Sequence, residues 1–417
     1  MIDRLITPKR GRLCARRAGM MLLTTCLLYA VPANAQPDIN ELYVINTLAE
    51  TLDKIDLVTG TVQHDVAVLG LYPNRIWVND TMAVVVNSGD ADLQLIRLAD
   101  YTNLGFVYFD ENDSPYDMAV VSDTLAYVAL FGSHELACCN LKTRSVVSRV
   151  EVGYHPEGVL VFGGRVYVAN TAFDDIEYKF GQGTLYIVDR ATLAVIDSVS
   201  VSRNPQELLL APDGTIHIVC TGNYVDEFGR IDVFDPVTFS IIGHIEIGGS
   251  PGIIHLNRRY QAYLAEWGWG QGRVYSYDAV TRQVIHGSSN PIVPGQECAY
   301  ILGDRSDNLY ICAFNIDGVI EYGPNDAPTG RTFGVGDGPA AAALRTNRIP
   351  GDVNEDRRVN PIDVVVLINH VYRGWALPGR HAAADVDNTC VINPVDVVIL
   401  INYVYRGFGN LLWGCAP

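Results

Sequence analysis

The chain has 417 residues, of which 48% are apolar and 18% charged, and its formal net charge is −17. This composition excludes an intrinsically disordered chain and is ample for a large buried core. The negative charge argues against a nucleic-acid partner, because a phosphate backbone is repelled by an acidic surface. The length predicts two or three domains.

Residues 1–35 have the features of a signal peptide. Basic side chains cluster before residue 18, an apolar run follows from Met20 to Val31, and Ala33-Asn-Ala35 forms an A-x-A cleavage site. The apolar run is shorter than the roughly 20 residues that span a bilayer. We therefore expect a protein that is secreted or held at the cell surface, without a membrane span.

The chain repeats between residues 40 and 346. Each unit opens with a short apolar run that follows a proline or, once, a glycine. The successive starts are Pro73, Pro115, Pro156, Pro205, Pro251, Gly295 and Pro339. Each unit holds short runs with strand-type alternation, and helical periodicity is absent. Four strands per unit at a period of about 40–50 residues predict the blades of an all-β propeller, with seven blades.

The two ends of this region complement each other. The unit from Leu42 to Leu69 has strands two to four only, whereas the run from Pro339 to Leu344 supplies a first strand with no followers. Pairing these two segments would complete one blade and remove an exposed sheet edge. We therefore predict that the ring is closed by the two ends of the repeat region.

A short motif joins the third and fourth strands of most units. It reads Asp/Asn-x-x-Thr and begins at Asp56, Asn140, Asp189, Asp235 and Asp278. A short acceptor side chain fixes such a turn by accepting the main-chain N–H two residues on. We interpret these residues as turn formers rather than as a ring of ligands.

The repeats resemble a known family. The Tyr-Val-x-Asn runs (Tyr43–Asn46, Tyr167–Asn170), the Asp-x-x-Thr turns and the Val-Gly-x-x-Pro joins (Val152–Pro156, Val335–Pro339) are similar to the YVTN-type β-propeller repeat. The resemblance covers Glu41 to Arg345. It implies the fold but no single activity, because that fold hosts binders, scaffolds and a few enzymes.

The pattern changes at Gly351, where a duplicated segment begins. Asp352 opens the first copy and Asp385 opens the second, 33 residues later. Each copy runs into a nearly identical apolar segment, which begins with Pro361 or Pro394 and stops at Gly374 or Gly407. Proline suits the first helical position and glycine suits the stop, so two short helices are predicted despite the many β-branched residues.

Each copy also follows the ligand spacing of an EF-hand loop, with oxygen-bearing side chains at positions 1, 3, 5, 9 and 12 and a main-chain carbonyl at position 7. The first set is Asp352, Asn354, Asp356, the Arg358 carbonyl, Asn360 and Asp363. The second is Asp385, Asp387, Thr389, the Val391 carbonyl, Asn393 and Asp396. We predict two Ca²⁺ sites whose binding is coupled to folding. The second should be weaker, because Thr389 replaces a carboxylate.

The duplicated loops and helices resemble a type I dockerin over Gly351–Gly407, although position 6 is Arg357 or Cys390 instead of glycine. The resemblance implies a cohesin-type partner, read by residues near loop positions 10 and 11. Those residues are Pro361, Ile362, Pro394 and Val395. The similarity of the two copies implies that either helix could dock. The expected organisation is a signal peptide (1–35), a propeller (36–346), a short linker (347–350) and a dockerin-like module (351–417).

The cysteines can be divided into candidates for disulfide bonds and buried free thiols. Cys390 and Cys415 both lie in the tail, and we predict a disulfide between them. Cys298 and Cys312 flank Arg305 at equal distance and could bridge two strands. Adjacent Cys138 and Cys139 point to opposite faces of a strand and are interpreted as packing thiols, as is Cys220.

Acidic and aromatic residues gather in the loops between strands two and three of consecutive units. These loops and the segments that lead into the repeat prolines should lie on one face of the propeller, around its central channel. The candidates for ligand binding are His155, Asp174, Asp175, Glu177, Tyr178, Tyr224, Asp226, Glu227, Trp267 and Trp269. Such a rim could hold a glycan or a protein ligand; a solvated acidic rim is the simpler interpretation.

Three hypotheses about function remain open at this point. The chain could be an exported binding or scaffold protein that its tail docks to a surface or multienzyme assembly. It could be a propeller enzyme, a lyase or carbohydrate-active hydrolase, delivered in the same way. In the third hypothesis the tail is a structural element without a cohesin partner.

Overall fold

The computed structural model describes residues 40–162, 164–268, 271–304, 306–346, 351–354, 359–377, 381–387, 391–407 and 411. These residues form a ring of antiparallel sheets up to residue 346 and a helical tail from residue 351. The predicted signal peptide and the predicted linker lie outside the described residues. No helix in the described ranges is long and apolar enough to cross a bilayer.

The ring consists, within the described residues, of seven four-stranded blades, and the prediction of a seven-bladed β-propeller is confirmed. In six blades the strands follow one another in chain order. The first strand is the one that follows the proline of the repeat or, in blade 7, the glycine. The first strands of neighbouring blades contact one another around the whole ring, so they line the central channel.

The strands have the following bounds, with blades numbered from the one that the two ends of the ring share. Blade 1 contains Asn40–Asn46, Thr51–Asp56, Thr61–Val68 and Pro339–Thr346. Blade 2 contains Pro73–Val78, Met82–Asn87, Asp92–Arg97 and Asn103–Tyr108. Blade 3 contains Pro115–Ser122, Leu125–Leu130, Glu135–Asn140 and Ser145–Glu151. Blade 4 contains Pro156–Phe162, Arg165–Asn170, Thr184–Asp189 and Val195–Ser200.

The remaining blades continue the same order. Blade 5 contains Pro205–Leu210, Ile216–Cys220, Arg230–Asp235 and Ser240–Glu246. Blade 6 contains Ile253–Leu256, Gln261–Glu266, Arg273–Asp278 and Val284–His286. Blade 7 contains Cys298–Gly303, Leu309–Ala313, Gly318–Tyr322 and Pro328–Gly334, with a single 3₁₀ turn at Phe314–Ile316. A small hairpin, Phe173–Asp174 with Lys179–Phe180, is inserted between the second and third strands of blade 4.

The apolar core lies between the blades. The second strands are buried nearly throughout, and their alternate side chains face different neighbouring blades. In blade 2, Val84 and Val86 pack in the core with Val128 of blade 3, whereas Val85 packs in the core with Ile45 of blade 1. The fourth strands form the outer rim and are mostly exposed, as Val195–Ser200 shows. Burial on both faces explains why the second strands are almost wholly apolar.

The ring closes as predicted. The last strand pairs antiparallel with the first described strand, and Leu42 lies opposite Leu344 and Val44 opposite Ala342. Leu42, Val44 and Ala342 all belong to the core between blades 1 and 7. The two ends of the propeller are therefore held by a shared sheet as well as by shared core packing.

The Asp-x-x-Thr motifs form the predicted turns. Asp189 Oδ1 accepts the main-chain N–H groups of Ala191 and Thr192 at 3.1 and 2.8 Å. Asp56 and Asp278 make the same pair of bonds to the residues two and three positions on. These carboxylates fix turns on the outer part of the ring.

The tail contains helices α1 (Pro361–Arg373), α2 (His381–Ala384) and α3 (Pro394–Arg406). Asn360 and Asn393 cap α1 and α3 in capping boxes, and both helices end at a glycine in the left-handed region, with φ of 70° at Gly374 and 65° at Gly407. Val364, Leu367, Val397 and Leu400 pack α1 against α3. Capping and this apolar seam outweigh the low helix propensity of the β-branched residues.

The tail contacts one face of the propeller. Arg258 Nε donates to the Asn354 carbonyl oxygen at 3.2 Å, and Ala376 N donates to the Pro212 carbonyl oxygen at 3.1 Å. Pro212 and Arg258 lie in loops between first and second strands. Because strand direction alternates, these loops are at the opposite end of the ring from the loops between second and third strands. We call the two ends the tail face and the loop face.

The cysteines are partly as predicted. Cys138 and Cys139 are buried in the cores on opposite sides of their blade, and Cys220 is buried in a third core. The bridge that Cys298 and Cys312 could have formed is not made, since both thiols are free. A register shift places Cys298 opposite Ala313 and Cys312 opposite Tyr300, and the two sulfurs belong to different cores. Cys390 and Cys415 lie outside the described residues.

Candidate functional site

His155 is the best-supported member of the predicted rim. It is buried, Nε2 lies 2.9 Å from Asp175 Oδ2, and Nδ1 lies 3.1 Å from the Phe131 carbonyl oxygen. Its ring packs against Phe131 and Tyr154 at centroid distances of 4.1 and 4.7 Å. The structure thus brings together two residues, His155 and Asp175, that come from separate loops, but both ring nitrogens already have partners.

The hairpin inserted in blade 4 holds the next candidates. Asp174 Oδ1 accepts the main-chain N–H groups of Glu177 and Ile176, and these bonds lower the pKa of Asp174. Glu177 pairs with Lys179 at 3.1 Å on the surface, and Tyr178 is exposed. Asp174 is therefore a turn former, whereas Glu177 and Tyr178 remain open to a partner.

The corresponding loops of blades 5 and 6 hold the others. Asp226 Oδ1 accepts from Asn223 Nδ2 at 2.7 Å, and Glu227 pairs with Arg203 at 3.0 Å. Tyr224 is 57% exposed, and Phe173, Phe180 and Tyr224 form a row of rings with centroids 4.9 and 5.9 Å apart. Trp267 packs on Phe314, and Trp269 lies outside the described residues.

A cavity of 830 Å³ opens beside this loop face. Arg203, Asp226, Glu227, Asp232 and His244 are among the residues that line it. His244 Nδ1 lies 2.7 Å from Asp232 Oδ1, and the other carboxylate oxygen of Asp232 accepts the Ser202 N–H at 2.6 Å.

The Asp232–His244 pair has a counterpart in blade 1. His64 Nδ1 lies 2.9 Å from Asp53 Oδ2, and that oxygen also accepts the Gly336 N–H at 3.0 Å. In both blades the buried aspartate belongs to the third strand and accepts a main-chain N–H from the segment that leads in from the previous blade, at Ser202 or Gly336. The repetition favours a structural fastener between blades over a catalytic dyad.

The channel holds a cluster that sequence reasoning missed. Arg75, Asp117, Glu157 and Glu207 come from the first strands of blades 2, 3, 4 and 5. Arg75 Nε lies 3.4 Å from Asp117 Oδ1, and Nη2 lies 3.6 Å from Glu207 Oε2. Blades 2 and 5 are not neighbours, so the contact between Arg75 and Glu207 crosses the channel. We call these four residues the channel cluster.

Burial dominates the electrostatics of the channel cluster. It raises the pKa of Glu157 to about 8 against the opposing charge of Arg75. Burial, and then the charge of Asp117, raise the pKa of Glu207. Neutral glutamic acids are therefore favoured here at pH values where a surface glutamate is ionised.

The second predicted calcium loop converges in the tail. Oxygen atoms of Asp385, Asp387 and Asp396 lie within 4.8 Å of one another, and Asp385 and Asp396 are fully buried. Burial, and then the charge of Asp387, raise the pKa of Asp396. Three carboxylates held this close fit a hard cation with oxygen ligands, because a bound cation would remove their mutual repulsion. Thr389 lies outside the described residues.

The first loop is described at its two ends. Asp352, Asn354 and Asp363 are buried, and Asp363 Oδ1 accepts the Asn354 N–H at 3.1 Å while Oδ2 accepts the Asn360 N–H at 2.8 Å. Asp396 likewise accepts the N–H groups of Val386, one position earlier in the loop than Asn354, and of Asn393, at 2.9 and 2.8 Å. Asp363 and Asp396 thus close a loop and cap a helix at the same time. Asp356 and Arg358 lie outside the described residues.

The two long helices carry matching exposed apolar residues. On α1 these are Ile362, Val365 and Tyr372, at 56, 55 and 62% exposure. On α3 they are Val395, Val398 and Tyr405, at 54, 55 and 61%. The spacing i, i+3, i+10 places each set on one helix face, which we call the docking stripe of that helix. Pro361 and Pro394 are also exposed.

A match to a known family agrees with this geometry. Residues 350–405 match the family model described as the dockerin type I domain. The tail is a type I dockerin domain, a class that docks onto cohesin partners in extracellular or cell-surface complexes and binds calcium. None of the curated proteins matches the chain.

Several solved structures of very different sequence resemble the chain. The Kuenenia stuttgartiensis hydrazine synthase aligns with a TM-score of 0.53 at 13% identity, over 66% of this chain and 95% of that one. A functionally unknown protein from Desulfotomaculum acetoxidans gives 0.58 at 12% identity, over 74% and 100%. A quinonprotein alcohol dehydrogenase-like protein from Bacteroides thetaiotaomicron gives 0.54 at 14%, over 73% and 77%. These likenesses show the fold alone.

Proposed function

We propose that this chain is an exported binding or scaffold protein. Its propeller recognises a ligand at the loop face, and its calcium-loaded dockerin docks it to a cohesin-type partner on a surface or in a multiprotein complex. The observation that carries the proposal is the placement of the tail, which contacts the loops of Pro212 and Arg258 and so leaves the loop face open. The predicted signal peptide at residues 1–35 supports export.

Calcium is the ion that the donor set of the tail fits. Asp385, Asp387, Asn393 and Asp396, with the Val391 carbonyl and Thr389, would hold one ion. Asp352, Asn354, Asp356, Asn360 and Asp363, with the Arg358 carbonyl, would hold another. Bound calcium would neutralise each set of carboxylates and fix the loop that precedes the helix. The chain's own part is to bury these oxygens and to cap α1 and α3 with the loop-closing aspartates.

The cohesin-type partner would contact a docking stripe. Exposed apolar side chains flanked by polar ones are typical of interface cores, and aromatic residues such as Tyr372 and Tyr405 are frequent among the residues that dominate binding. Pro361, Ile362, Pro394 and Val395 begin the two stripes. Because the stripes match position for position and differ only in Ile362 against Val395, either helix could present a similar surface to one partner.

The experiment is a pull-down with a panel of type I cohesin modules, using the full mature chain in calcium. We compare Ile362→Asp, Val395→Asp and the double variant. Each single variant should keep binding through the other helix, and the double variant should lose it. Val237→Asp, at an exposed valine in a propeller turn, is the matched control and should bind like the wild type.

The results separate the remaining hypotheses. Failure of every cohesin to bind in calcium would support a structural tail and contradict the proposal. A propeller enzyme would need an acid/base pair at the loop face. The candidates there are engaged locally, as Glu227 is with Arg203 and His155 is with Asp175. These contacts favour binding over catalysis. A disulfide between Cys390 and Cys415 remains part of the proposal.

A further inference from the structure

When its glutamic acids ionise, the channel cluster is short of positive charge. It contains the three carboxyl groups of Asp117, Glu157 and Glu207 but one guanidinium, that of Arg75. Arg75 is engaged with Asp117 and Glu207 and also lies over the Tyr116 ring, 5.5 Å from its centroid. Among the described residues, Arg75 is the basic group whose charge lowers the pKa of both glutamates, against the larger effect of burial.

Glu157 is left without a partner inside this cluster. The residue is 6% exposed, and its Oε2 is buried and makes no hydrogen bond. An unsatisfied buried carboxyl oxygen is costly, so native proteins seldom keep one without a use. This oxygen is a buried acceptor near the charges of Asp117 and Glu207, and the ionised form of Glu157 would stabilise a cationic donor there.

Other unpartnered polar atoms lie in the same channel wall. Asn74 Oδ1 makes no hydrogen bond, nor does Nδ2 of the fully buried Asn204, in the join that leads into blade 5. Burial, and then the charge of Glu157, raise the pKa of Tyr224. Tyr224 is 57% exposed on the loop face, so a residue on which the charge of Glu157 acts also reaches solvent there.

The arrangement favours an organic cation over a metal ion. In the described part of the chain, three ligating groups come within 4.8 Å of one another at Asp385, Asp387 and Asp396, and not in the channel. The guanidinium of Arg75 lies between the carboxylates of Asp117 and Glu207, and its positive charge would repel a metal ion bound there. The Tyr116 ring, which already has the Arg75 guanidinium 5.5 Å from its centroid, suits an ammonium group, because cations are attracted to ring faces.

We propose that the channel binds a small organic ammonium compound through Glu157, with entry past Tyr224 from the loop face. The inference deepens the proposed function, since it gives a chemical class to the ligand of the propeller. It does not depend on the dockerin or on its partner. The acidic residues Asp175, Glu177 and Asp226 at the loop face would attract a cation toward the channel.

The test is calorimetric titration of the full mature chain, with calcium present, using choline and glucosamine as probes. Their uncharged counterparts, 3,3-dimethylbutan-1-ol and glucose, have nearly the same shape. We expect at least one charged probe to bind about tenfold or more tightly than its counterpart, and Glu157→Gln to weaken it by a similar factor. Glu151→Gln, at an exposed glutamate of blade 3, is the control and should bind normally.

Several results would overturn the inference. The inference fails if neither charged probe binds, if the neutral counterparts bind equally well, or if Glu157→Gln binds the probes unchanged. It also fails if the wild type binds an extra manganese ion that Glu157→Gln loses, because the site would then be a metal site. If Glu157→Gln does not fold, wild-type affinity for choline, whose charge does not titrate, should still rise from about pH 6 to about pH 9, and a flat profile would count against the channel site. Calcium uptake and cohesin pull-down on the same preparations report separately on the dockerin.

Discussion

The side chain of Arg258 joins the propeller to the dockerin, because its Nε lies 3.2 Å from the main-chain carbonyl oxygen of Asn354. Asn354 belongs to the first predicted calcium loop. The neighbouring Arg259 instead donates to the Pro324 carbonyl oxygen at 2.6 Å, inside the propeller. Two adjacent arginines thus serve different contacts, one between the modules and one within the ring.

Arg258→Ala should loosen the dockerin without disturbing the ring. A single hydrogen bond contributes about 1 kcal/mol, so we expect faster amide exchange near Asn354 and Ala376 and little change in the blades. Hydrogen exchange with mass spectrometry measures this. Arg259→Ala should raise exchange near Pro324 and Asp307, within the propeller, because Arg259 also pairs with Asp307 at 3.2 Å. Identical exchange in Arg258→Ala and wild type would show that the contact is not maintained in solution.

Leu42→Ala should destabilise the whole propeller. Leu42 is fully buried in the core of the closing blade, so the loss of its side chain leaves a cavity and costs about 2–5 kcal/mol. Urea unfolding measures the free energy of unfolding. Leu48→Ala is the matched control, because Leu48 is 55% exposed and its truncation should change stability by less than about 0.5 kcal/mol. Similar effects of the two changes would contradict the closure.

Glu157→Gln should stabilise the propeller at neutral and alkaline pH. Burial raises the pKa of Glu157 from its usual 4.5 to about 8, so the folded state favours the protonated acid. Wild-type stability from this group is therefore full below pH 4.5 and is lost as the pH rises toward 8. Glutamine does not ionise and avoids this loss, which is on the order of a few kcal/mol.

Thermal unfolding across this pH range checks the prediction. The melting temperature of Glu157→Gln minus that of wild type should increase with pH, with Asp117, Glu207 and Arg75 unchanged in both proteins. Glu151→Gln should show no such trend. A difference that is constant with pH would mean that Glu157 is not held in a buried, unpaired position.

Thiol counting tests the cysteine assignments. The structure shows free thiols at Cys138, Cys139, Cys220, Cys298 and Cys312, all buried. The mature protein, unfolded without reductant, should therefore label at these five residues, with Cys390 and Cys415 protected by the proposed disulfide. Mass spectrometry of the labelled peptides gives the answer. Labelling of Cys415 would remove the disulfide, and protection of Cys298 would contradict the structure.

The sequence predicted the features that repeat. The closing pair of strands could be found because the segment at Pro339 lacked followers and that at Leu42 lacked a first strand. Helices α1 and α3 could be found because Pro361 and Gly374 mark boundaries that recur 33 residues later. The YVTN repeat type and the domain boundaries stay predictions.

The channel cluster could not be predicted in the same way. Its members are more than 30 residues apart along the chain and meet only when the ring closes, so no local pattern contains them. One signal was present, since Arg75, Asp117, Glu157 and Glu207 all lie one or two positions after the proline that begins a blade. The contact between Arg75 and Glu207 across the channel depends on strand register, which a single sequence does not specify.

Calcium uptake by the full mature chain tests the central claim most directly. Isothermal titration of the calcium-free protein should show calcium binding together with a gain of helical signal in circular dichroism. The Asp385→Asn/Asp396→Asn variant should lose uptake at the second loop, whereas Asp197→Asn, at an exposed aspartate of blade 4, should titrate like the wild type. A wild-type chain that takes up no calcium and keeps its helices in chelator would contradict the account.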